Sequence, residues 1–172
     1  LYSSGDPDAM VFTRSALKPF QALPFMLADG PARCGFTLDE LALLCASHSG
    51  EEKHLAGVQS ILGKIGLDET HLECGCATPL YYDAIGLPPP AGRRWRSVHH
   101  NCSGKHSGFL STAVAYGEPT AGYIKYDHPV QRRLRAVMTD LCGSNADDFA
   151  HGTDGCGIPT LDRKSTRLNS SH

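Results

Sequence analysis

Several features are missing from this sequence, and each absence narrows the field. No apolar run approaches the roughly 18 residues that a membrane-spanning helix needs, and no charged-then-apolar leader opens the chain, so neither an anchor nor export is expected. Excess charge is missing too: 16 Lys and Arg stand against 18 Asp and Glu, a formal net charge of −2. Nothing in that balance points to nucleic acid or an anionic membrane as partner. Zinc-ribbon cysteine pairs are also lacking, because Cys74-x-Cys76 has no second pair at a matching distance. The cysteines number seven, an odd count. Cys45 and Cys142 fall in otherwise apolar helical patterns. That suits reduced thiols in a cytoplasmic protein, some available to metal, better than a secreted disulfide framework.

What is present suffices for one domain: 172 residues can bury a real core. The chain opens on Leu1, not Met, so the native N-terminus is expected to lie upstream. The other end, Asp162-Arg-Lys-Ser-Thr-Arg-Leu-Asn-Ser-Ser-His172, reads like a translated sequencing adapter. Fold expectations therefore rest on residues 1–161, with 162–172 taken as a non-native tail; the plainer reading is a polar native one.

Chemistry concentrates first at Phe12-Thr-Arg-Ser-Ala-Leu-Lys18. If Ser15 opens a helix, Lys18 sits one turn on, along the same face. A serine hydroxyl is a weak nucleophile, but a lysine whose charged form is disfavoured by burial can serve as its base. Serine β-lactamases and penicillin-binding proteins use Ser-x-x-Lys in this way. On its own the pattern is as readily an ordinary helix start, with Pro19 tolerated in the first turn.

Further along, Thr37-Leu-Asp-Glu40 has the form of a capping box, and Ser49-Gly-Glu-Glu52 looks like a second. The joint Ser47-His48-Ser49-Gly50 between the two helices is then a tight corner that exposes hydroxyls to a cleft. Leu87-Pro-Pro-Pro90-Ala-Gly-Arg-Arg94 reads as an exposed linker. Its few arginines and single Trp95 look like a solvated face.

A second dense stretch, Ser97-Val-His-His-Asn-Cys-Ser-Gly-Lys-His-Ser-Gly108, looks like a strand and loop leading into a helix from about Lys105. Cys102, Lys105 and His106 fall within one turn, and Cys-x-x-x-His is compatible with half a zinc site. Ala121 to Lys125 reads as extended, and Asp127 as the cap of an amphipathic helix carrying Val130, Leu134, Val137 and Leu141. Gly143 is placed to end that helix. Finally His151-Gly-Thr-Asp-Gly-Cys-Gly-Ile-Pro159 is a glycine-dense turn that brings in a second thiol, Cys156.

Three islands, Arg14-Ser15-x-x-Lys18, His100-Asn-Cys-Ser-Gly-Lys-His106 and Gly152-Thr-Asp-Gly-Cys-Gly157, occur in order. Together they resemble the class 3, rhizobial-type (thermolabile) L-asparaginases. The resemblance runs over Leu1 to Leu161 and covers roughly the first half of such a chain. It implies an α/β sandwich like that of serine β-lactamases and glutaminases, in a cytoplasmic homodimer that releases ammonia from L-asparagine. By the same resemblance Ser15 and Lys18 match one Ser–Lys tandem and Ser47 the serine of another. Cys102, Lys105 and Cys156 match zinc ligands, with Arg14, His106 and Asp154 beside the substrate. The lysine completing the second tandem lies beyond Leu161 in family members, so inactivity of this chain alone is one expectation.

The chemistry expected of these residues is attack on the side-chain amide by Ser15, with Lys18 as base and Ser47 as relay or oxyanion donor. Two other classes compete. A penicillin-binding or β-lactamase-like hydrolase would also need Ser-Asp-Asn and Lys-Thr-Gly triplets, which are absent. A non-catalytic, zinc-stabilised binding module would account for the thiols and leave Ser15-x-x-Lys18 accidental.

Overall fold

The computed structural model describes residues 10–143 and 145–164. Of the expected tail, residues 165–172 lie outside the described residues. Three short strands form one antiparallel sheet: β1 (Met10–Phe12), β2 (His151–Thr153) and β3 (Pro159–Lys164), in the order β1-β3-β2. The register pairs Phe12 with Asp162, and His151 with Leu161. The ladder therefore continues through Asp162, Arg163 and Lys164, three residues that sequence reasoning had set aside.

Helices supply most of the rest: α1 (Lys18–Leu27), α2 (Gly30–Cys34), α3 (Leu38–Cys45), α4 (Glu52–Lys64), α5 (Leu80–Ile85), α6 (Ser103–Tyr116) and α7 (Pro129–Cys142). The class is α/β, helix-rich with a small sheet. At the centre lies α6, packed against α1, α3, α4 and α7. Every residue from Ser103 to Ala113 is buried. A helix that carries serines and a threonine can be buried on all sides because those hydroxyls satisfy themselves. Ser107, Ser111 and Thr112 each donate to a carbonyl three or four residues earlier, at 2.6, 2.7 and 2.9 Å. Phe109 and Leu110 add apolar area, each side chain contributing about 1.5–3 kcal/mol on burial.

Close approach explains one glycine in α6. A Cβ at Gly104 would lie 2.3 Å from the Leu43 carbonyl oxygen. Only glycine lets the start of α6 press onto the end of α3. That contact brings the Cys102–His106 turn beside the corner at Ser47.

Local expectations met mixed outcomes. The box at α3 is present: Glu40 N–H donates to Thr37 Oγ1 at 3.3 Å, and Thr37 N–H to Glu40 Oε2 at 2.7 Å. Gly143 ends α7 in the left-handed region, with φ 58°. The second box is displaced, since Glu51 and not Ser49 caps α4, and its N–H donates to His54 Nδ1 at 3.3 Å. Ser49 instead donates to Glu51 at 2.6 Å. His128, not Asp127, caps α7, because its Nδ1 accepts the Val130 N–H at 3.3 Å.

Ser97 to His99 form a 3₁₀ turn where a strand was expected, and residues 121–125 are turns, not extended chain. Among the described residues neither segment has a strand beside it to supply ladder bonds. The α6 helix begins at Ser103, before the expected Lys105. The helix expected from Ser15 is a 3₁₀ turn, Arg14–Leu17, that becomes α-helical only at Lys18.

Candidate active site

The 3₁₀ turn at Arg14–Leu17 decides where Ser15 points. Thr13 anchors its entrance: both its N–H and its hydroxyl donate to the Leu161 carbonyl on β3, at 3.3 and 3.0 Å. Arg14 then adopts φ 45°, an uncommon conformation for a residue with a Cβ. Its N–H donates to Thr160 Oγ1 at 3.3 Å. Bonds from β3 thus hold a strained backbone immediately before the serine, a feature that clusters at functional sites.

Ser15 and Lys18 are not themselves hydrogen-bonded. The Lys18 amine, 1% exposed, reaches across to the α3–α4 corner. It lies 2.6 Å from Ser47 Oγ and donates to the Ala46 carbonyl at 2.7 Å. Ser15 Oγ is 3.2 Å from Ser47 Oγ. The amine therefore reaches Ser15 through Ser47. Burial pulls the Lys18 pKa below its usual value, with the charge of nearby Cys102 opposing and that of Lys105 adding. An amine so placed can lose its proton and accept one from Ser47.

The corner that carries Ser47 is fastened to α6. His48 N–H donates to the Asn101 carbonyl at 3.1 Å. The His48 ring is clamped between the Gly50 N–H, donating to Nδ1 at 3.1 Å, and Ser103 Oγ, 2.8 Å from Nε2. Gly50 makes the turn with φ 81°.

Behind the serines lies a second cluster. Asp154, in the loop between β2 and β3, accepts from Lys105 Nζ at 3.0 Å through Oδ2. Its Oδ1 accepts from the Cys156 thiol at 2.9 Å and the Cys156 N–H at 3.0 Å. Although burial disfavours the Lys105 charge, Cys156, Cys102 and Asp154 outweigh it and hold Lys105 as an ammonium. Hydrogen bonding from Cys156 and the charges of Lys105 and Lys18 favour the Cys102 thiolate, overcoming its burial. Cys156 shifts the opposite way, its bond to Cys102 and its burial keeping the proton.

Two clefts border these groups. One, of about 320 Å³, is walled by Phe12, Arg14, Gly152, Thr153, Asp154 and Thr160. The other, about 660 Å³, opens beside Ser47, His48 and His54. The first has the charges that an amino acid needs, an arginine and a carboxylate.

All but one of the candidate site residues from the sequence gather here. Ser15, Ser47 and Lys18 form one chain and Lys105, Asp154 and Cys156 another, with Cys102 close enough for its charge to act on Lys18. His106 stands apart: it is 0% exposed and lines neither cleft, its Nδ1 lying 2.8 Å from the Tyr123 hydroxyl. Thr160, His48 and Tyr123 went unnamed as site residues. Their contacts are long-range, and no local pattern marks them.

As for metal, no group of three or more His, Cys, Asp or Glu side chains is arranged to hold an ion among the described residues. The set expected from the sequence has only two such members, its third being Lys105. Two adjoining thiols and an amine are nonetheless a soft donor set that fits zinc. To serve as a ligand Lys105 would have to surrender its proton and its bond to Asp154.

The arrangement has the parts that acyl transfer to a serine hydroxyl needs: a hydroxyl relay, a buried amine and a charged cleft. The chain belongs to the L-asparaginase II family, whose model matches residues 1–169. That places it among amidohydrolases acting on a small-molecule substrate. No curated protein matches the chain.

Proposed function

We propose that this protein hydrolyses L-asparagine to L-aspartate and ammonia, with Ser15 as nucleophile, Ser47 as relay and Lys18 as base. The observation that carries the reading is the continuous path from Ser15 Oγ through Ser47 Oγ to Lys18 Nζ, with steps of 3.2 and 2.6 Å. Ser15 attacks the side-chain carbonyl carbon, its proton passes to Ser47, and the Ser47 proton passes to neutral Lys18. Collapse of the tetrahedral adduct breaks the C–N bond, and the proton returned by Lys18 leaves with ammonia. Water then cleaves the aspartyl ester by the same path and restores Ser15.

In the cleft beside Ser15, Arg14 suits the α-carboxylate and Asp154 the α-ammonium group of the substrate. Cys102, Lys105 and Cys156 would hold one zinc ion, which when bound supplies a fixed positive charge that orients the site. The same reading carries the β-lactamase- and glutaminase-like sandwich, supported by helices and sheet sharing one core that includes Leu17, Phe109 and Leu161. It also carries a cytoplasmic homodimer, on the resemblance of the three islands. No described helix is long and apolar enough to cross a membrane.

Ammonia release from L-asparagine, measured with Ser15→Ala alongside, tests the proposal. Release that disappears in the variant while the thermal midpoint holds supports it. A folded full-length protein that releases none overturns it. Chelation should raise KM for asparagine more than it lowers kcat. Complete loss of turnover, restored only by zinc, would instead assign the metal a Lewis-acid role.

A further inference from the structure

Tyr123 lies in the turns between α6 and α7, 0% exposed, and its hydroxyl meets two groups. The Glu73 N–H donates to it at 2.7 Å, and His106 Nδ1 lies 2.8 Å away. The first contact sets the direction of the second. A buried phenol has one proton to place, and no other acceptor bonds it among the described residues. The proton therefore goes to His106 Nδ1, which must be the bare nitrogen of the ring. The ring proton then resides on Nε2.

That Nε2 is buried and has no hydrogen-bond partner of ordinary length among the described residues. Burial lowers the pKa of this ring, with Cys156 opposing. The tyrosine cannot easily swing away. Gln131 donates to its carbonyl at 2.8 Å, and Glu73 Oε1 accepts the neighbouring Gly122 N–H at 2.6 Å. The rings of Tyr123 and His106 meet edge-on, centroids 5.5 Å apart and planes at 74°.

We propose that Tyr123 is a positioning residue: its hydroxyl holds His106 as the Nε2-protonated imidazole and so fixes which ring nitrogen of this α6 residue carries the proton. The effect on turnover rests on the asparaginase reading, whereas the tautomer does not. Tyr123→Phe removes one oxygen and keeps the ring, so a purely space-filling tyrosine would tolerate it.

The test is the ¹⁵N–¹H correlation spectrum of the histidine rings at neutral pH, with kinetics of Tyr123→Phe. The expected spectrum of the unaltered protein shows His106, identified by its loss in His106→Gln, protonated at Nε2. In Tyr123→Phe that tautomer should lose its dominance, and kcat/KM should fall on the order of 10-fold, as when outer partners of functional groups are removed. An Nδ1-protonated His106 in the unaltered protein overturns the proposal and needs no variant to fold. So does a Tyr123→Phe protein with unchanged tautomer and kcat/KM. Absence of ammonia release would remove the asparaginase reading while the ring spectrum still decides the tautomer.

Discussion

Glu40 and the Lys105–Asp154 pair, both buried charges, differ in how completely they are partnered. Glu40, on α3, is closed. Its Oε2 accepts from Lys64 Nζ and from Thr37 N–H, each at 2.7 Å, and its Oε1 accepts from Ser60 at 2.7 Å. The Lys105–Asp154 group is open. It adjoins two thiols whose pKa values are pushed in opposite directions, a buried imidazole nitrogen with no hydrogen-bond partner among the described residues, and a lysine whose charge is disfavoured by burial. A fully satisfied carboxylate resists changing its proton state and serves structure. Groups left with spare capacity can exchange protons, which is what a catalytic site requires.

The comparison can be broken from either side. Removing the buried amine should cost most: Lys18→Met is expected to lower kcat/KM by roughly 10²–10⁴-fold, the usual share of a general base. Its pH profile gives a finer reading. Because burial lowers the Lys18 pKa from 10.5, the rate should climb as the pH rises and level off before 10.5, where the amine is already neutral. The residual activity of Lys18→Met should lack that limb. If Lys18→Met keeps the limb, the base is elsewhere.

Next in size is Asp154→Asn, which leaves the Lys105 charge buried without its carboxylate. Breaking such a pair costs about 3 kcal/mol, and here activity should fall with stability. Denaturant unfolding and ammonia release, measured on one preparation, would check both. Loss of stability alone would make this pair as structural as Glu40.

The smallest effect is expected at the closed group. Glu40→Gln should lower unfolding free energy by roughly 1–3 kcal/mol and leave kcat/KM unchanged. Although burial opposes it, bonds from Lys64, Thr37 and Ser60 hold the Glu40 carboxyl below its ordinary 4.5. Its contribution is therefore present above 4.5 and lost as the pH falls through the lower folded value. Glu40→Gln should remove that part of the acid dependence, as unfolding curves across acid pH would show. A fall in turnover at neutral pH would erase the distinction between the two groups.

Much of the site was legible because its residues come in short islands. Ser15 with Lys18, Cys102 with Lys105 and His106, and Asp154 with Cys156 are each a few positions apart, and a turn of chain places them together. The capping box at Thr37 and the stop at Gly143 were legible for the same reason: their bonds lie within one turn. Ser49 and Asp127 misled because each had a neighbour that could cap equally well. The choice between Ser49 and Glu51 was made by how the corner packs on α6.

What the sequence determined by itself was the list of reactive groups, the apolar faces that make α3, α4 and α7, and the resemblance carried by three islands. Only the tertiary structure decided which group touches which. It paired Lys18 with Ser47, not with its own neighbour Ser15. It held Arg14 at positive φ through Thr160, and it set Tyr123 against His106. Those contacts join residues that the chain keeps far apart, and they form because α6, glycine-fitted against α3, is buried on every side. Hydrogen bonds across such distances depend on packing, and packing is a property of the whole fold.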